Sequence, residues 1–81
     1  MKALDHARHE YQQAIEATDY WEERTKEAEN DFREGLRGGL IASVIQLRRQ
    51  SMIAFGRLLA TAFASEMEAE FRLGMLEGRL K

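Results

Sequence analysis

Leu4, Ala7, Tyr11, Ala14, Thr18, Trp21, Thr25, Ala28 and Phe32 recur at alternating spacings of three and four residues. That rhythm puts them all on one seam of a single helix, at the a and d positions of a heptad repeat. Ile15 widens the stripe, and nearly every intervening position is charged or polar. The predicted helix therefore has one narrow apolar face and a solvated back.

The pattern breaks at "REGLRGGL", residues 33–40. Gly35, Gly38 and Gly39 each disfavour a helix by roughly 1 kcal/mol relative to Ala, and glycine supplies the left-handed conformation that ends many helices. Asp31 and Glu34 have the spacing of a capping box, a competing signal that would start the next helix earlier. The expectation is a helix over about 3–34, a glycine-rich turn over 35–39 and a second helix over about 40–80.

The second segment is patterned differently. At 100° per residue, Ser43, Gln50, Ala54, Arg57, Thr61 and Ser65 lie opposite the core. Ile41, Val44, Ile45, Met52, Ile53, Phe55, Leu59, Ala60, Phe63 and Ala64 cover roughly two-thirds of the circumference. So wide an arc exceeds what one narrow-striped neighbour covers, and soluble monomers rarely leave a long apolar strip in water. Gly56, Ala60 and Ala64 also repeat at four-residue intervals, a ridge of small side chains on which two helix backbones can approach. Gly74 and Gly78 continue that spacing.

The sequence thus predicts an all-α fold. A single helical-hairpin domain over residues 1–81 has two long antiparallel helices and self-associates into a helical bundle. The simplest form is an antiparallel or two-fold homodimer, a four-helix bundle of coiled-coil type, with higher closed rings also compatible. Ile41, Ile45, Met52, Ile53, Gly56, Leu59, Ala60, Phe63 and Ala64 are the expected self-association residues.

With the turn centred near residue 37, antiparallel pairing brings together positions whose numbers sum to about 75. Phe32 then approaches Val44, Trp21 approaches Met52 and Phe55, Tyr11 approaches Phe63, and Leu4 approaches Phe71. Arg48 falls opposite Glu27, and Arg57 opposite Glu16 and Asp19, so both arginines are expected to pair with acids of the first helix. Arg48 is the awkward one, because it interrupts the apolar arc between Ile45 and Met52 and must snorkel its stem or pair its guanidinium.

Composition narrows the function classes. Eighty-one residues lie near the size at which one chain struggles to bury enough apolar surface, and with no cysteine neither disulfides nor thiolate metal sites can help. The net charge of −2 conceals an asymmetry: residues 1–31 carry nine acids and four bases, while residues 32–65 carry five arginines and Glu34 alone. "MKALDHARHEYQQ" is too polar for a secretory signal and too acidic for a transit peptide, so a cytoplasmic chain read as written is expected. The longest low-charge stretch, "SMIAFGRLLATAFA", has fourteen residues with Arg57 inside, against the roughly 20 a bilayer span needs.

Residue types suited to chemistry occur together only in "DHARHEY". Leu4, Ala7 and Tyr11 hold the seam there, which turns His6 and His9 outward, without the shielded pocket of a metal site. The H-E-x-x-H motif is absent, and Asp5 with His9 and His6 with Glu10 read as four-residue surface pairs. Glu66 and Glu70 share a face but lack the Glu-x-x-His partner of di-iron bundles. No cofactor, no metal and no enzymatic activity are expected.

The expected function is that of a non-enzymatic protein–protein interaction module, a small adaptor, assembly subunit or proteinaceous inhibitor. Tyr20, Glu22, Glu23, Glu27 and Glu29 are its candidate contacts with a basic protein partner. One alternative is an RNA- or DNA-binding regulator working through Arg33, Arg37, Arg48, Arg49 and Arg57. Another is a membrane-surface protein using residues 40–64 as an amphipathic face.

Overall fold

The computed structural model describes residues 2–78. It is all-helical, with α1 spanning Lys2–Arg37 and α2 spanning Ala42–Leu76, packed antiparallel as a hairpin. A rise of 1.5 Å per residue makes each helix about 50 Å long. The particle accordingly measures 57 × 18 × 15 Å. Its radius of gyration is 17.8 Å; a compact chain of this length has about 12 Å.

Local chemistry supports α1 at both ends, since Asp5 lies in its first turn and Arg37 in its last, each opposing the helix dipole. α2 has no acid in its first turn, no base in its last, and an N-cap, Ile41, that makes no side-chain capping bond. Its order therefore rests on packing rather than on its ends.

The turn falls later than the glycines alone suggest. Gly35 lies inside α1, where the Gly38 N–H still donates to the Glu34 carbonyl at 2.8 Å. The left-handed residue that ends the helix is Gly39, with φ +68°, and the Leu40 N–H then donates to the Gly35 carbonyl at 3.2 Å. Leu40 folds back over Gly35, its Cδ1 only 3.2 Å from where a Cβ at that position would sit. Gly35 is thus a point of close approach within the seam, and the connection runs over residues 38–41 instead of 35–39. α2 ends at Leu76, with Glu77 as its C-cap and Gly78 left-handed at φ +75°, short of the expected end near residue 80, which itself lies outside the described residues.

Later turning moves the register by about one helical turn. Trp21 stacks on Phe55, ring centroids 6.0 Å apart, as the pattern predicts. Farther from that pair the contacts shift: Arg48 reaches Asp31 rather than Glu27, and Arg72 reaches Glu10. Phe63 and Phe71, expected over Tyr11 and Leu4, are more than half exposed.

The α1 seam is the one read from the sequence, extended to Gly35. The α2 seam consists of Ile45, Arg48, Met52, Phe55, Leu59, Ala62, Glu66, Ala69 and Leu73, also at alternating steps of three and four, all buried or half-buried. Apart from Leu73, the most buried side chains are small, Ala7, Thr18, Ala28, Ala62 and Ala69, and no large side chain is completely buried among the described residues. Small residues let the helices approach closely, and the larger ones cover the contact from its flanks. The seam hydroxyls satisfy themselves locally, Thr18 donating to the Ala14 carbonyl at 3.0 Å and Thr25 to that of Trp21 at 2.7 Å.

Candidate interaction surface

One seam does not use up the apolar side chains of α2. Arg49, Ile53, Gly56, Ala60, Phe63, Met67 and Glu70 each follow a seam residue by one position, which sets them about 100° around the helix as a second stripe. Ile53, Phe63 and Met67 are 41%, 53% and 53% exposed. Between this stripe and α1 runs a shallow groove floored by Gly56, Ala60 and Phe63 and bordered by Asp19 and Glu22.

Gly56 is the informative residue on this stripe. Its backbone is ordinary right-handed helix, and a Cβ added there would meet nothing within 4 Å. Inside the hairpin, then, nothing requires glycine at a position where it costs about 1 kcal/mol relative to alanine.

The self-association residues expected from the sequence divide between these two faces. Ile45, Met52 and Leu59 are half-buried in the α2 seam, where they pack within the hairpin itself. Ile53, Gly56, Ala60 and Phe63 form the second stripe, Ala64 is exposed beside it, and Ile41 stands in the turn. Phe71 and Met75 prolong the exposed apolar surface toward the C-terminus, and Leu47 and Leu58 are exposed on the opposite flank. The exposed apolar stripe runs past Ala64 to Met67, a residue outside the expected self-association set.

The acidic candidates do not form one patch. Tyr20 and Glu27 lie on one flank of α1, Glu22 and Glu29 on the other, and Glu23 on the back. Tyr20 is exposed, edge-on to Trp21 at 4.9 Å, with the Arg24 guanidinium 5.2 Å above its ring. Arg24 also donates to Glu27 at 3.0 Å; that carboxylate first, and Tyr20 second, hold its guanidinium above the usual arginine pKa. Glu22 lies 3.5 Å from Lys26.

Arg48 lays its stem along Gly35 and donates from Nη1 to the Asp31 carbonyl at 2.7 Å, a backbone partner that charge matching does not reveal. Arg57 is exposed and has no ion-pair partner among the described residues; its backbone carbonyl accepts from the Thr61 hydroxyl. At the open end of the hairpin Glu10 joins the helices, receiving Arg72 at 2.7 Å and lying 2.9 Å from His6 Nε2. Arg8 and Glu77 add a looser contact at 3.6 Å.

Among the described residues no three His, Asp or Glu side chains are grouped to hold a metal ion, and no buried polar side-chain atom lacks a partner. A second shallow cleft, between Arg24, Asp31, Leu47 and Ser51, has its arginines engaged as described, and both histidines lie toward the other end of the rod. Among the described residues no helix is long and apolar enough to cross a membrane. Comparison with protein-family models, with curated proteins and with solved structures finds no match.

Proposed function

We infer that this chain is a non-enzymatic protein–protein interaction module whose first partner is a second copy of itself, so that helical hairpins assemble into a bundle. The observation that carries this reading is the uncovered second stripe of α2, with Ile53, Phe63 and Met67 open to solvent. Shape agrees with it. The chain exposes 6153 Å², against about 5,000 Å² for a compact protein of 9.4 kDa. Of the arginines a polyanion would need, Arg48 is already engaged by the Asp31 carbonyl. Adaptor, assembly-subunit and inhibitor roles all suit such a module, acting through shape and surface charge.

Replacing both Phe63 and Met67 by Glu tests the reading. The wild-type chain is expected to scatter light as an oligomer, and the double variant as a single chain of unchanged helicity. A wild type that scatters as one chain at millimolar concentration contradicts the reading.

A further inference from the structure

We propose that the second copy packs α2 against α2 in antiparallel fashion, across a two-fold axis passing near Ala60. This rests on the self-association inferred above and adds its geometry. The stripe reads basic, large, small, small, large, large, acidic, from Arg49 through Ile53, Gly56, Ala60, Phe63 and Met67 to Glu70. An antiparallel two-fold superposes that order on its own reverse. Phe63 of one copy then comes over Gly56 of the other, into space that a Cβ would find empty for 4 Å. Met67 meets Ile53, and Ala60 meets its own equivalent, where two small side chains let the backbones close in.

Charge selects the same direction. Arg49 and Glu70 are both exposed, and neither has an ion-pair partner among the described residues. Antiparallel packing places each opposite the other, twice per dimer by symmetry. Parallel packing sets Arg49 on Arg49, Glu70 on Glu70 and Phe63 on Phe63. The stripe lies about 100° around α2 from the seam, so α1 keeps its place while the second copy takes the stripe. The flank of α1 on that side is polar, with Asp19 and Glu22 lining the groove, so the contact runs through α2.

Because the chain contains no cysteine, introduced thiols report without background. Ile53→Cys and Met67→Cys chains, prepared separately, mixed and treated with a short bismaleimide, are expected to give mainly the mixed cross-link. Arg49→Glu is expected to weaken association about three- to tenfold, and adding Glu70→Arg in the same chain to restore it. Circular dichroism on each variant checks that the hairpin remains helical. Predominant Ile53–Ile53 and Met67–Met67 cross-links would overturn the antiparallel arrangement and leave self-association standing. An oligomer that none of these thiols cross-links, or that is indifferent to Arg49→Glu, would overturn it equally. A wild type that stays a single chain, whether free or bound to vesicles or another protein, would remove the underlying reading together with the geometry.

Discussion

Arg48 shows how one residue can serve a close-packed seam without being apolar. It occupies a position where the heptad asks for a hydrophobe, and glycine at 35 makes room for its stem while the Asp31 carbonyl accepts a hydrogen bond from its guanidinium. A charged donor to a backbone acceptor contributes about 1 kcal/mol when the pair is partly solvated. Arg48→Ala is therefore expected to lower unfolding free energy by about 1 kcal/mol. Arg48→Met, which keeps the stem, should recover part of the loss, with urea unfolding at fixed protein concentration as the measurement. Equal losses in the two variants would assign the effect to the hydrogen bond alone. Gly56 is the converse case. The hairpin leaves its surroundings empty, so its reason must be sought outside the hairpin.

At the scale of the helices, α1 was legible almost completely, because a strict three-four alternation against a charged background has one solution on a 3.6-residue helix. α2 was less so. Its broad apolar arc contains two overlapping three-four series, and nothing local tells which one faces α1. The true seam includes Arg48 and Glu66, whose types argue against burial. The turn was misplaced for a related reason: glycine marks both chain reversals and close approaches, and Gly35 is the second kind while Gly39 is the first. That shift in register leaves the face unchanged; Phe63 lies off α1 because it belongs to the second series, one position past the seam residue Ala62. Of the surface, the sequence showed that apolar side chains exceeded what one partner could cover, and the structure divided those residues between two faces. Helix separation depends on the alanines of the seam. Ala28 is only 6% exposed, so Ala28→Leu is expected to push the helices apart and cost about 1–3 kcal/mol, read as a lower urea midpoint. Ala17→Leu, at an exposed position, should cost little.

As a whole molecule the hairpin is a rod 57 Å long and about one helix pair wide, a shape with much surface for its mass. Two such rods joined along α2 would cover Ile53, Phe63 and Met67 and leave Tyr20, Glu23 and Glu27 of α1 outward, available to a further partner. The account stands on α2 having more apolar surface than α1 covers. Sedimentation equilibrium of the wild-type chain over a hundredfold range of concentration tests this most directly. The mass is expected to rise with concentration to a whole multiple of 9.4 kDa. A mass that holds at 9.4 kDa throughout would contradict it.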